Sequence, residues 1–468
     1  MPDQNSTLSQ FEANLRDAPY PLASIRDGQI GKDTFIDGPA GRHKMIYADY
    51  VASGRPLRQI EDFVMSQVLP FYANSHTEAS FCGATMTHMR EDARQIIATK
   101  CGANLNDHAV IFSGSGATSG LNQLVHLFDV PATLAQGKAV KILMGPYEHH
   151  SNILPWRESG ASVVEIREGV KGGPDMEHLE AELRSGDKNC LTIVAFSAAS
   201  NVTGICADVA AITTLVKSYD ALMVWDYAGG GPYLPIAMSQ TQAEIDAIAL
   251  SPHKFIGGPA ASGVLIVRRD AVRTHRPSRP GGGTVSFVNA HQHDYVPRIE
   301  QREEGGTPNV IGDIRAALAF IVKDVIGQDY MTSRNANLAH KAFAIWGNDP
   351  CIEILAPNDQ DRLPFLSFVP RSPDGQRLNY QTFTRALSDL YGIQARGGCS
   401  CAGPYVHRLM GIDDAWSDQL RTEILAGDTS RKPGFVRLNL SVLMDDDTVD
   451  FILGSVAALT RRDLACAA

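Results

Sequence analysis

The stretch Val110-Ile111-Phe112-Ser113-Gly114-Ser115-Gly116-Ala117-Thr118-Ser119-Gly120 passes from an apolar run through a glycine-rich turn into the helical spacing of Leu121, Leu124 and Val125. A short, wholly apolar strand is buried on both faces, and a helix entered through a tight turn returns the chain to the same sheet. The pattern recurs. Further strands are predicted over 140–144, 162–166, 191–196, 221–225, 248–250 and 263–267, with helices over 176–183 and 209–219 among them. This alternation predicts an α/β fold with a mainly parallel sheet between layers of helices. In such sheets ligands collect in the loops that follow the strands.

Upstream, a polar segment over 1–44 is expected to pack on a smaller domain. It leads into a short strand over 45–50, a helix over 60–69 stopped by Pro70, and a helix over 87–100. Downstream of a Pro/Gly-rich connection at 276–283 comes a long helix over 311–327. A strand over 365–369 and helices over 380–391 and at the C-terminus follow. The last helix carries Val449, Ile452, Leu453 and Val456, with Asp446 or Asp447 as its cap. The expected division is an N-terminal segment (1–44), a large domain (45–315) and a small C-terminal α/β domain (316–468).

The 468 residues carry a formal net charge of -10 and are 44% hydrophobic and 20% charged, which is ordinary globular usage. No basic stripe suggests nucleic acid as a partner. No apolar run approaches a membrane span, and the start MPDQNSTLSQ lacks the basic and apolar regions of a signal peptide. Cysteines 82, 101, 190, 206, 351, 399, 401 and 466 are scattered, which predicts reduced thiols in a cytoplasm rather than a disulfide framework.

Several loops carry residues suited to chemistry. Lys254 lies in Ser251-Pro252-His253-Lys254-Phe255-Ile256-Gly257-Gly258-Pro259, between a strand and a Gly-Gly-Pro turn. An amine buried there can lose its proton and attack an aldehyde, although an ordinary turn lysine would share the spacing. The turn Ser113–Gly120 offers backbone N–H groups and the Thr118 hydroxyl to a phosphate at a helix start, or it is merely a tight turn. Asp226 ends an apolar strand, either capping the next turn or keeping a ring nitrogen protonated. Glu148-His149-His150 lacks the partners of a zinc site, and no metal is expected. His149 suits an aromatic platform over a flat ring, with a satisfied loop histidine as the alternative. Cys399-Ser400-Cys401, near Arg396, is too tight for a relaxed disulfide and reads as either a reactive thiol or two inert cysteines.

Together these stretches resemble the class V aminotransferase family of fold-type I pyridoxal-phosphate enzymes, nearest its cysteine desulfurase and selenocysteine lyase branch. The resemblance implies that Lys254 holds pyridoxal 5'-phosphate as a Schiff base, with Ser251 and His253 beside it. It implies that Asp226 pairs with the pyridinium nitrogen and His149 stacks on the ring. Ala117 and Thr118 would hold the phosphate, and Asn201 would approach the phenolic oxygen and the substrate. Thr307, in Gly306-Thr307-Pro308-Asn309, matches a segment that reaches the phosphate of a neighbouring subunit, implying a homodimer. Arg437 matches the arginine that binds the α-carboxylate of an amino-acid substrate, and Cys401 the nucleophile that receives sulfur. A sulfur-acceptor protein is an implied partner, and Cys399 a candidate second carrier.

The chain departs from the desulfurase pattern at Gly229, where a Gln or His is expected, at Ser119, where a Glu is common, and at Thr77-Glu78, where relatives place an Arg. The expected reaction is desulfuration of cysteine or a related β-substituted amino acid. The alternatives are β-elimination, epimerisation or transamination on the same frame, and a non-catalytic sulfur-relay or scaffold protein.

Overall fold

In the computed structural model, which describes residues 6–75, 78–186, 189–240, 243–357, 362–398 and 401–462, the predicted strands assemble into one seven-stranded sheet. We label them β1 (His108–Gly114), β2 (Val140–Met144), β3 (Ser162–Glu165), β4 (Leu191–Ser197), β5 (Leu222–Asp226), β6 (Ala247–Leu250) and β7 (Gly263–Arg268). Their spatial order is β1-β7-β6-β5-β4-β2-β3. Only β7 runs antiparallel to its neighbours; the other pairings are parallel.

Alternation along each strand sorts its apolar side chains onto two faces. Val110, Phe112, Met223, Trp225, Ile248 and Leu250 pack with the helices Phe81–Lys100 and Val310–Ile326. Ile111, Ile142, Val224 and Ala249 pack on the other face with Leu121 and Leu124 of the helix Gly116–Leu127, and with Ile153 and Trp156 of the helix His150–Glu158. Both faces being covered explains why these strands are apolar throughout.

The small domain has a four-stranded antiparallel sheet of β8 (Ile352–Ile354), β9 (Phe365–Pro370), β10 (Arg396–Gly398) and β11 (Phe435–Asn439), ordered β8-β9-β11-β10. The helices Tyr380–Tyr391 and Asp446–Leu459 contribute Phe383, Leu387, Ile452 and Val456 to its core. Asp445, rather than Asp446 or Asp447, caps the last helix, accepting from the Thr448 N–H at 2.8 Å.

The expected domain borders need correction. The helix Thr7–Arg16 packs on the large domain, not the small one, because its stripe of Leu8, Phe11 and Leu15 joins the core shared by Phe63, Ile97 and Leu318. Lys100 reinforces this seat through Glu12 (2.9 Å) and Asp324 (2.6 Å). Of the N-terminal segment, the hairpin Phe35–Gly38 with Gly41–Lys44 is what lies against the small-domain helix Tyr380–Tyr391. The strand expected over 45–50 shortens to Ile46–Tyr47, which pairs with Ile393–Gln394, so Ala48 and Tyr50 belong to the small-domain core. The border at 315 falls inside the continuous helix Val310–Ile326, and the chain turns at Gly327 instead. Leu8→Ala is expected to lower the unfolding free energy by about 2–5 kcal/mol, the cost of emptying a core leucine site. A shift of the urea midpoint at unchanged slope would report it.

Candidate active site

The carboxyl ends of β1, β2, β4, β5 and β6 share one edge of the sheet, and the loops leaving them carry Thr118, His149, Asn201, Asp226 and Lys254. Parallel pairing makes this convergence unavoidable, because every such strand ends on the same side.

Lys254 closes a short 3₁₀ turn, Pro252–Lys254, directly after β6. Burial pulls its ammonium down to about 8, while Asp226 opposes the shift and Arg437 and Arg396 add to it. Asp226 is 3% exposed, and its Oδ1 accepts from the Ala228 N–H at 2.8 Å. Burial raises its carboxyl above the ordinary range, against the pull of the Ala228 N–H and of Lys254. His253 is held down to about 4 by burial and by the neighbouring Lys254. Its ring is therefore neutral at neutral pH.

The glycine-rich turn is locked onto the lysine loop. The Ala117 N–H donates to Ser251 Oγ at 3.0 Å, so Ala117 joins the two loops and its amide is already engaged. Gly116 has φ +65, and a Cβ there would meet His253 Cε1 at 2.8 Å and Ser251 Oγ at 2.9 Å; only glycine suits both demands. Ser119, at the departure from the common Glu, accepts from the Ser115 N–H through its Oγ at 3.2 Å and closes the turn. Thr118 is exposed and shares a 2.7 Å hydrogen bond with Ser151 Oγ.

In the run from Glu148 to Asn152 each residue makes a distinct contact. Glu148 is buried; its Oε1 accepts from the Ser197 N–H (2.8 Å), and its Oε2 from Ser197 Oγ (2.6 Å) and Asn152 Nδ2 (2.6 Å). Burial raises its carboxyl to about 7 despite these donors. His149 caps the helix His150–Glu158: its Nδ1 accepts from the Ser151 N–H at 3.0 Å. Burial, Lys254, His150 and Arg437 lower His149 to about 3, leaving a neutral ring with its proton on Nε2. The His150 ring instead accepts from the Gly403 N–H through Nε2 at 2.9 Å, and its backbone N–H donates to the Cys401 carbonyl at 2.9 Å. Glu148 and His150 were not among the expected site residues; the only hint in the chain was their place in one polar run after an apolar strand.

From the small domain, β11 delivers Arg437, 3% exposed, whose Nη1 donates to the Asn201 backbone oxygen at 2.9 Å. Its Nη2 pairs with Asp49 Oδ1 at 3.0 Å, and Asp49 Oδ2 accepts from Arg396 Nε at 3.1 Å. Arg396 and Arg437 are cross-strand partners in β10 and β11, and Asp49 relieves the repulsion between them. Sequence reasoning missed Asp49, since nothing near residue 49 announces arginines from beyond residue 390. Cys401 is exposed and adopts φ +55, an unusual left-handed conformation for a side chain with a Cβ. Thr307 is exposed and lines a cavity with Ser113 and Gly114, on the flank of the glycine-rich turn. Gly229 is buried, and a Cβ there would lie 3.3 Å from the Ala199 oxygen. Cys399 and Thr77 lie outside the described residues; Glu78 is exposed beside Arg90, Arg94 and Arg298.

The family description Aminotransferase class-V matches residues 46–450, and the chain belongs to that family, whose members depend on pyridoxal 5'-phosphate. It is 27% identical over 409 residues to a probable cysteine desulfurase of Streptomyces coelicolor, covering 85% of this chain and 89% of the relative. It is 26% identical over 364 residues to a cysteine desulfurase of an Enterobacter species, covering 77% and 85%. Among solved structures, the apo cysteine desulfurase of Thermococcus onnurineus superposes with a TM-score of 0.72 at 22% identity, covering 89% of this chain and 94% of that one. An Escherichia coli cysteine desulfurase in its S-sulfonic acid form gives 0.72 at 23% identity, covering 94% and 98%. The architecture is that of fold-type I enzymes. Among the described residues no helix is long and apolar enough to cross a membrane.

The residues present fit the cofactor: a desolvated lysine, a buried carboxylate that acts on it, a neutral imidazole, and a glycine-rich turn with an outward hydroxyl. In the cofactor-free chain, borohydride trapping of pyridoxal 5'-phosphate on Lys254 is expected to rise with a midpoint at about 8. Asp226→Asn removes the charge that favours the ammonium, so its midpoint moves lower still. A midpoint at the ordinary lysine value of 10.5 would contradict the burial.

Proposed function

We propose that this enzyme is a cysteine desulfurase, taking sulfur from L-cysteine or a related β-substituted amino acid onto Cys401 and releasing alanine. The observation that carries the reading is the exposed, left-handed Cys401 bonded through its carbonyl to the residue next to His149, at 2.9 Å from the His150 N–H. A thiol so exposed serves no packing purpose.

The bound cofactor supplies an electron sink conjugated to the substrate's α-carbon. Lys254 would hold it, and the Lys254 amine would move the substrate's α-proton, a task suited to a group titrating at about 8. Asp226 would meet the ring nitrogen, His149 would lie against the ring with its neutral imidazole, and Thr118, Ser251 and His253 would hold the phosphate. Arg437 receives the substrate carboxylate, with Asp49 fixing its plane and Asn201 beside it. The Cys401 thiolate attacks the substrate sulfur: the S–S bond forms as the Cβ–Sγ bond breaks. The electron pair stays with the carbon skeleton, which takes up a proton and leaves as alanine. The persulfide on Cys401 is then open to a sulfur-acceptor protein. Thr307, on the flank of the phosphate turn, is read as reaching a second copy of the chain in a homodimer.

Incubating the holoenzyme with L-cysteine, and separately with cysteine conjugates, while assaying alanine, sulfide and pyruvate tests this reading. Alanine with sulfide, and persulfide on wild type but not on Cys401→Ala, are expected. Pyruvate with ammonia, equally from Cys401→Ala, would make the chain a C–S lyase instead. Lys254→Ala is expected to lower turnover by at least about a thousandfold under either chemistry. Undiminished turnover in that variant would rule out both.

A further inference from the structure

Two helices meet head to head at the nucleophile. His150 is the first residue of His150–Glu158, and Gly403 is the first residue of Gly403–Leu409. The first backbone amide of a helix has no partner within its own helix. Here each finds its acceptor on the other element. The His150 N–H donates to the Cys401 carbonyl at 2.9 Å, and the Gly403 N–H donates to His150 Nε2 at 2.9 Å. A single histidine thus brackets Ala402, holding the Cys401 carbonyl by its main chain and the Gly403 amide by its ring, and fixes the chain just after the sulfur-bearing residue. The ring must keep Nε2 unprotonated to do so, and burial together with Arg157 holds His150 below the ordinary histidine range.

Among the described residues, the packing next to Cys401 does not set how it points. Downstream, Ala402, Tyr405 and Val406 are buried against Tyr147, Val202 and Ile205, which fixes the short helix but not the residue before it. Upstream, β10 ends at Gly398. At φ +55 a cysteine is held against its own backbone preference and relaxes when its carbonyl or the next amides are released. Gly403 also lets the imidazole approach: a Cβ there would stand 3.2 Å from Nε2.

We propose that His150 is a positioning residue that aims the Cys401 sulfur by bridging the two helix starts, while the adjacent His149 serves the ring; this rests on Cys401 being the nucleophile. Consecutive histidines thereby couple the platform and the thiol through one peptide unit. The experiment compares wild-type, His150→Ala, His150→Asn and His150→Gln holoenzymes. A glutamine can set its carbonyl oxygen near the position of Nε2 and accept from Gly403; asparagine is too short. In His150→Ala and His150→Asn, kcat for L-cysteine is expected to fall by about tenfold with KM within about twofold, at unchanged visible absorbance of the bound cofactor. Amide exchange at Gly403 is expected to accelerate in the same two variants, and His150→Gln to recover both turnover and protection. Unchanged Gly403 exchange in His150→Ala overturns the bridge. Fast exchange with wild-type kcat, or equal losses in the Ala and Gln variants, overturns the positioning role. If wild-type enzyme forms no persulfide from cysteine, the desulfurase reading fails separately, and the bridge is judged by Gly403 exchange.

Discussion

The carboxylate of Glu148 is the constraint on which the site is built. It takes the Ser197 N–H and hydroxyl at the end of β4 and the Asn152 amide one helical turn on, all inside the protein. A buried carboxyl left without donors would cost several kcal/mol, so the loop after β2 cannot drift from the end of β4 without losing this group's compensation. Asn152 passes the restraint on, donating to the Ala195 oxygen at 3.2 Å and accepting from the indole of Trp156 at 3.1 Å. With both flanks pinned, His149 and His150 have fixed starting points and opposite directions. The two rings sit 6.1 Å apart with a 48° angle between their planes, and their acceptor nitrogens are opposite ones, Nδ1 in His149 and Nε2 in His150.

A second constraint joins the domains. Asp49 comes from the N-terminal side of the chain, whereas Arg396 and Arg437 come from neighbouring strands of the small domain. Arg437 also reaches the main chain at Asn201, in the large domain. The Arg437 guanidinium is therefore oriented by both domains at once. Its Nε–H is buried and has no hydrogen-bond partner among the described residues. The charges around Lys254 are mixed rather than uniform, so its lowered pKa comes chiefly from the loss of water and only secondarily from the arginines.

What was legible in the chain follows from the physics of its elements. Short apolar strands buried on both sides left an unmistakable periodicity, so β2 and the helix Tyr380–Tyr391 were placed to the residue. The loops after strands advertised themselves through glycine and polar residues. What was not legible depends on distant partners. The stripe of Leu8, Phe11 and Leu15 declares that the first helix must be covered, but not by what. Asp49 looks like any turn carboxylate until the two arginines arrive. Cys401's left-handed backbone is not a preference of cysteine, and it coincides with the bond from the His150 N–H to its carbonyl, a partner 251 residues away. At Ala117, expected to hold a phosphate, the amide bonds to Ser251 Oγ, a contact with the lysine loop that the local residues did not announce.

The one reversed strand, β7, gives the lysine loop a character that the other strand-end loops lack. The loops after β1, β2, β3 and β4 run into helices and the one after β5 runs on to the paired strands Ser239–Gln240 and Ala243–Glu244, whereas the segment from Ser251 to Ser262 leaves β6 and re-enters the adjacent β7. It is a short closed circuit with both ends clamped about 5 Å apart by the pairing of neighbouring strands. Inside it, the Gly258 amide bonds to the Phe255 oxygen at 2.9 Å, and outside it the Gly257 amide bonds to Arg55 at 2.8 Å. Most of the conformational freedom of this circuit is therefore lost on folding, and little remains to be lost when a ligand arrives. Lys254 therefore sits in a loop clamped at both ends, and motion at this edge of the sheet is left to the elements facing it.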